Sequence, residues 1–234
     1  MGLQLVTRRD CHLCEEAERV LSSRGVAFTA LDVDQDAELS RLYDFRVPVL
    51  LQDGRPLAEG KLDEAAIDRA LRHARAILIQ AAGPNSALEV HRLTQLAFGA
   101  YGWLTPPSGA LAETEDDVRR DLQQQGGALA RIAGTAVGAL RLRFEPKALW
   151  VRRVAVDPAH QGHGVGRELM RWAERQAAAR GLPEVRLGVR EQLPGNRAFY
   201  EKLGYRVLQR HLRPGTSEVH WLEMSRPASA TLHH

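Results

Sequence analysis

The run Gln161-Gly162-His163-Gly164-Val165-Gly166 lies directly between a strand and an amphipathic helix. The strand is expected over 148–156 and ends at Asp157-Pro158; the helix runs to Arg180, where Gly181 stops it and Pro183 follows. Such a turn aims several backbone N–H groups at one point, where the helix dipole also favours negative charge. Gly164 and Gly166 lack a Cβ, so a pyrophosphate can approach the main chain there. A tight strand-to-helix turn with no ligand would use the same glycines. The neighbouring residues exclude two other phosphate loops. A P-loop needs Gly-Lys-Ser/Thr, and Arg167-Glu168 follows Gly166. A dinucleotide loop needs Gly-x-Gly-x-x-Gly within a parallel βαβ unit, whereas Gly-x-Gly-x-Gly stands here after antiparallel hairpins.

The 234 residues read as two units, 1–74 and 75–227, with a frayed tail over 228–234. The first has the order strand, helix, strand, helix, hairpin, helix. Leu13, Ala17, Val20 and Leu21 fall on one helical face, Asp36 and Asp63 start later helices, and Gln52-Asp53-Gly54-Arg55 marks the hairpin. The second opens with a strand over 76–80 and a helix over 86–101. Thr114 caps the next helix and Gly126-Gly127 closes it. Strands over 128–133, 136–144 and 148–156 follow one another by short turns. Beyond the loop helix come a strand over 184–189, a helix over 197–203 and a strand pair, 205–211 and 219–224. This is an α+β pattern, a largely antiparallel sheet with helices on its faces.

Asn196-Arg197-Ala198-Phe199-Tyr200-Glu201-Lys202-Leu203-Gly204-Tyr205 follows the glycine loop after one helix and one strand. Together and in this order, the two motifs resemble those of the GNAT superfamily of N-acetyltransferases across the whole second unit. The resemblance implies a strand that splays from its parallel neighbour and admits the pantetheine arm of acetyl-CoA. It implies that Val154, Ala155 and Val156 bond pantetheine and acetyl group through their backbones. Gln161, Gly162, His163, Gly164, Val165, Gly166 and Arg167 would hold the pyrophosphate, and Asn196 would bond the cofactor further along. Tyr200 would be the general acid that protonates the departing thiolate. One departure stands out: Arg190-Glu191-Gln192-Leu193-Pro194-Gly195 makes a longer loop before Asn196 than most relatives have.

The chemistry is consistent with those roles. An amine attacks a thioester carbonyl directly, so no protein nucleophile is required. A bulged strand at 154–156 can supply an N–H donor to the developing oxyanion. A phenol of pKa ~10 can act as an acid near neutral pH, although an amphipathic core tyrosine would look the same in sequence. An alkylammonium of pKa ~10.4 is neutral in only about one molecule in 2,500 at pH 7, a cost of roughly 4.6 kcal/mol. Glu113, Glu115, Glu145, Glu191, His91 and a water chain all qualify to take that proton. The acceptor is a small-molecule or protein amine.

Cys11 and Cys14 are the only cysteines, and Cys11-His12-Leu13-Cys14 follows a strand and opens a helix. The spacing puts both sulfurs on one turn, and a helix N-terminus stabilises a thiolate. In that arrangement Cys14 could resolve a mixed disulfide formed at Cys11. Zinc would need further ligands, c-type haem would need histidine where Glu15 stands, and two inert packed cysteines remain open. With Val47-Pro48 before an apolar strand, the unit resembles the glutaredoxin-like branch of the thioredoxin fold. That resemblance implies that Cys11 is the thiol nucleophile and Cys14 the resolving thiol, and that Pro48 is cis and faces Cys11, with Val47 and Pro48 supporting the redox site. His12-Leu13 replaces the Pro-Tyr pair of ordinary glutaredoxins, so the partner is glutathione or another thiol. No metal is expected.

The formal net charge is +3 and the basic residues are interspersed with acidic ones, so no nucleic-acid stripe is expected. No run reaches the ~18 apolar residues of a membrane span, and a cytoplasmic protein is expected. The alternative to an acetyltransferase is a thiol-disulfide protein whose GNAT half is a CoA-binding or redox-gated sensor.

Overall fold

The computed structural model describes residues 3–52 and 54–228. Two compact units divide after Ala76. In the first, β1 (Leu3–Thr7), α1 (His12–Ser23), β2 (Phe28–Asp32), α2 (Ala37–Tyr43), β3 (Val49–Gln52), β4 (Arg55–Glu59) and α3 (Glu64–Arg75) follow in order. The sheet order is β2-β1-β3-β4, with β1 parallel to β2 and antiparallel to β3. Strand side chains alternate, so the adjacent Leu5 and Val6 enter different layers. Leu5 packs with Ala17, Leu21, Leu50 and Ile67, and Val6 packs with Val33, Tyr43 and Val49. Both faces of β1 are therefore covered, and the strand order makes it one of the two interior strands.

Leu13 departs from expectation, being 38% exposed, while Cys14 is only 1% exposed. The buried stripe is Cys14, Ala17, Val20 and Leu21; Leu13 falls within the arc of that stripe but stands in the first turn of α1, at the open end of the helix. β3 and β4 pair Gln52 with Arg55, whereas Asp53 of the expected turn lies outside the described residues. So does the expected tail beyond Ala228, whose own N–H donates to Pro183 O at 2.9 Å.

The second unit runs β5 (Leu78–Ala82), α4 (Ala87–Gly99), α5 (Glu115–Gln125), β6 (Gly127–Ile132), β7 (Thr135–Glu145), β8 (Ala148–Val156), α6 (Val165–Ala179), β9 (Glu184–Arg190), α7 (Pro194–Lys202), β10 (Arg206–Leu212) and β11 (Val219–Pro227). The sheet order is β10-β11-β9-β8-β7-β6-β5, and β8–β9 is a parallel pair. α5 starts with a capping box: Asp117 N–H donates to Thr114 Oγ1 at 3.2 Å and Thr114 N–H to Asp117 Oδ2 at 2.8 Å. The two glycines after α5 do different work. Gly126 takes the left-handed φ of 75° that ends the helix. Gly127 opens β6, where a Cβ would lie 2.4 Å from Leu140 O.

Leu93 and Ala97 of α4 join Val118 and Leu122 of α5 over Leu129, Ala139 and Ala155 of the sheet. α6 packs on β7 and β8 through Val165, Leu169, Met170 and Ala173, all fully or almost fully buried. At Gly138 of β7 a Cβ would come within 2.7 Å of Val165 Cγ1. That close approach fixes where the first turn of α6 meets the sheet.

Candidate active site and thiol pair

β8 and β9 are paired only from Leu149 with Val185 to Val151 with Leu187. Beyond this point β9 stays bonded to β11 as far as Arg190, and β8 turns to β7 alone. A bulge accompanies the parting. Ala139 faces Ala155 and Arg141 faces Arg152, so Arg153 and Val154 together oppose one residue of β7. Arg153 has φ 53°, and Glu113 Oε1 accepts from its Nη2 at 2.9 Å. The other oxygen of Glu113 accepts from Arg141 at 2.5 Å, and Arg141 also meets Asp121 at 2.9 Å while being 2% exposed. A partly buried ion network thus clamps the strained residue of the bulge.

A cavity of about 450 Å³ opens where the strands part. Val154 and Val156 reach it from β8, and Gln161, Gly162 and Gly164 from the loop. Val165, Gly166 and Arg167 reach it from α6, and Asn196 and Tyr200 from α7. Two expected residues do not line it. Ala155 points to the opposite face, into the core, and His163 is exposed with Nδ1 2.9 Å from Gln161 O.

The loop is built to leave donors free. Gly162 and Gly164 hold φ 79° and 89°, values that favour glycine. Gly164 is the N-cap of α6, and no side chain caps that helix, so its first N–H groups stay available. Gly166 has a different reason for being small, because a Cβ there would lie 3.2 Å from Phe199 Cζ. The Gln161 amide donates to Val156 O at 3.3 Å and ties loop to strand.

α7 begins at Pro194, three residues before the expected start, because proline suits the first helical position. Arg190 belongs to β9, so only Glu191-Gln192-Leu193 connects the two elements. The long loop expected before Asn196 is thereby absorbed. Asn196 sits in the first turn of α7 and lines the cavity. Tyr200 is half-buried, edge-on to Phe199 at 5.0 Å and to Tyr205 at 6.0 Å. Burial, with Tyr101 nearby, raises its phenol above the ordinary tyrosine range, so it stays protonated at neutral pH. Tyr205, the second motif tyrosine, is spent on structure: its hydroxyl donates to Glu174 at 3.1 Å.

A second cavity of about 560 Å³ shares Phe98, Val154, Arg190, Asn196 and Tyr200 with the first and adds Glu145, Trp150 and Trp221. Of the five candidate proton acceptors, Glu145 alone lines either cavity among the described residues. Glu113 is engaged with Arg141 and Arg153, and Glu115 with Arg119. His91 Nε2 lies 3.0 Å from Glu113 O. Sequence reasoning missed Arg190, Trp221 and the Glu113–Arg141–Arg153 network. Only the end of a strand at Arg190 could have hinted at the first.

Residues 89–205, half of the chain, match the acetyltransferase (GNAT) family. The chain belongs to the GNAT acetyltransferase family. Residues 2–72 match a glutaredoxin-like domain. The GNAT fold of the second unit recurs in the ribosomal-protein-S18-alanine N-acetyltransferase of Escherichia coli, at 18% identity and TM-score 0.55 over 67% of this chain and 96% of that one. It recurs in the PaiA N-acetyltransferase of Thermoplasma acidophilum in complex with coenzyme A, at 16% identity and TM-score 0.54 over 65% and 99%. A GNAT-family acetyltransferase of Staphylococcus aureus gives 14% identity and TM-score 0.53 over 66% and 100%. No curated protein matches the chain.

In the glutaredoxin-like unit, Cys11 and Cys14 form a disulfide with Cα atoms 5.2 Å apart. Cys11 is the N-cap of α1 and its Sγ accepts from Cys14 N–H at 3.3 Å, while Cys14 is buried. The Val47–Pro48 peptide is cis, as the glutaredoxin resemblance implies, and Pro48 is buried with its carbonyl accepting from Gly60 N–H at 3.0 Å. Among the described residues no helix is long and apolar enough to cross a membrane.

Proposed function

We propose that residues 75–227 transfer an acetyl group from acetyl-CoA to a primary amine by direct attack, and that residues 1–74 form a thiol-redox domain. The observation that carries this reading is the parting of β8 and β9 over a cavity that runs from the uncapped start of α6 to Tyr200. Acetyl-CoA supplies an acyl group already activated as a thioester. The N–H groups of the Gly162–Gly166 turn donate to its pyrophosphate. Main-chain groups of Val154, Ala155 and Val156 extend along the pantetheine arm, and an N–H of the bulge donates to the thioester carbonyl oxygen. Asn196, whose side chain makes no hydrogen bond among the described residues, is free to bond the arm from the other side. As the amine nitrogen bonds the carbonyl carbon, Glu145 of the second cavity takes the proton the amine loses; Tyr200 gives its proton to the sulfur as the carbon–sulfur bond breaks and regains one from solvent. Isothermal titration of the full chain with acetyl-CoA tests the reading. One binding site per chain is expected; no heat at millimolar cofactor would overturn it.

The paired Cys11 and Cys14 favour a second activity in the first unit. When reduced, the Cys11 thiolate attacks a substrate disulfide and releases a thiol; Cys14 then attacks the mixed disulfide and forms the bond seen here. Two electrons pass to the substrate, and glutathione or another thiol returns them. A Cys14→Ser variant should trap the mixed disulfide. A Cys11 pKa near the ordinary ~8.5 with no reductase turnover would remove this activity. Equal acetylation rates for oxidised and reduced protein would rule out redox gating of the second unit.

A further inference from the structure

The cavity that adds Glu145, Trp150 and Trp221 carries an unbalanced charge. Four arginines line it, Arg143, Arg152, Arg153 and Arg190, against the single carboxylate of Glu145. Three have acidic neighbours: Arg143 meets Glu145 at 3.2 Å, Arg153 meets Glu113 at 2.9 Å, and Arg152 lies 4.0 Å from Asp121. Arg190 has none among the described residues. Its guanidinium touches His220 Nε2 and donates to Pro106 O, and its Nε is buried without a partner. The next charge is Arg213, itself a cation, engaged with Thr105 O at 2.8 Å and Glu218 at 3.8 Å. Burial and Arg213 both act against the Arg190 charge, and the same surroundings hold His220 below its ordinary pKa. A guanidinium with a free buried donor and no counter-charge is half of an ion pair.

Its location makes that half useful. Arg190 lines both cavities, as do Val154 and Tyr200, so it stands at the junction where acyl donor and acceptor meet. An anion bound there sits beside the reacting centre. In an α-amino acid the amine is only two bonds from the carboxylate, so one contact would place both. Part of the remaining wall is aromatic, with Trp150 and Trp221 set among aliphatic residues such as Val151 and Leu187. Trp221 is stacked on His211 at 3.7 Å and 2°, and it lies over Gly188, where a Cβ would come within 3.2 Å of the indole. Trp150 is held by its Nε1–H, which donates to Glu145 at 3.0 Å. Two fixed indoles offer an apolar wall for a side chain. A volume of about 560 Å³ suits a small molecule.

We infer that the acceptor is an amine carrying a carboxylate on an apolar or aromatic body, an amino acid held through its carboxylate by Arg190 with its side chain against Trp150 and Trp221. This rests on the acetyltransferase reading above. A polyamine would bring cations to an arginine cluster, and an internal peptide amine would bring no carboxylate to it.

The test uses the full chain and begins with acetyl-CoA titration, which decides the acetyltransferase reading independently. Thiol release is then measured with phenylalanine, leucine, their amides, phenethylamine and spermidine. The amino acids should exceed their amides at least 30-fold in kcat/KM. Arg190→Gln should raise KM for the amino acids at least 30-fold, abolish the preference over the amides and leave the acetyl-CoA Kd within twofold; that Kd also reports folding. Arg190→Lys should restore part of the preference. Failure to bind acetyl-CoA sinks both readings. Binding with amides or spermidine preferred, or with no amino acid acetylated, sinks this inference alone. So does an Arg190→Gln variant whose main defect is acetyl-CoA affinity, which would assign Arg190 to the cofactor.

Discussion

In the proposed transfer Tyr200 is the acid, and where its phenol is held bears on that role. An ordinary phenol would begin to ionise near pH 10, but burial raises this one further. An acid must be protonated to act, so a raised pKa preserves activity toward alkaline pH. The kcat profile should show no loss from Tyr200 up to about pH 10, and a downturn near pH 8 would point to another group. Tyr200→Phe should lower kcat by about 10²-fold or more while the acetyl-CoA Kd, read by titration, moves less than threefold. Equal loss of both would make the ring structural. The motif resemblance singled this tyrosine out, and the other motif tyrosine, Tyr205, has its hydroxyl committed to Glu174. Arg190 was invisible in the sequence: a lone arginine has no pattern, and only its lack of a counter-charge among the described residues marks it.

At the level of elements, the glycines separate two kinds of constraint. Gly127 is needed for space, since its Cβ would collide with the main-chain oxygen of Leu140. Gly195, in the first turn of α7, has nothing within 4 Å of that position. Gly127→Ala should therefore cost about 1–3 kcal/mol. Gly195→Ala should be neutral or stabilise by up to about 1 kcal/mol through the unfolded chain. Urea denaturation of the two variants measures the difference, and equal effects would contradict the geometry. β8 has the bounds read from sequence and α2 starts where Asp36 marks it, because an Asp-Pro end and a capping aspartate punctuate them. α7 was misplaced because Pro194 was counted as loop when it stands at a helix start.

For the molecule as a whole, each unit has its own buried core, and the cavities are lined by the second alone. Leu50 is fully buried between Leu5 and Ile67 in the first unit. Leu50→Ala should destabilise that unit by about 2–5 kcal/mol. Because no cavity residue belongs to it, the acetyl-CoA Kd should stay within twofold. A larger change would show that the first unit influences the second.

By itself the sequence determined the two units, the glycine turn into α6, the cysteine pair at the start of α1 and the motif that contains Tyr200. All of these are local, written in spacing, caps and periodicity over a few turns of chain. The tertiary structure decided what local spacing does not encode. It inserted β11 between β9 and β10, ended the β8–β9 ladder at Val151 and put Arg153 on a bulge clamped by Glu113. Those outcomes depend on which distant strands share hydrogen bonds and which buried charges find partners. The glycine loop could be read as a place for phosphate from its own residues, but the cavity it opens into exists only because two strands part elsewhere.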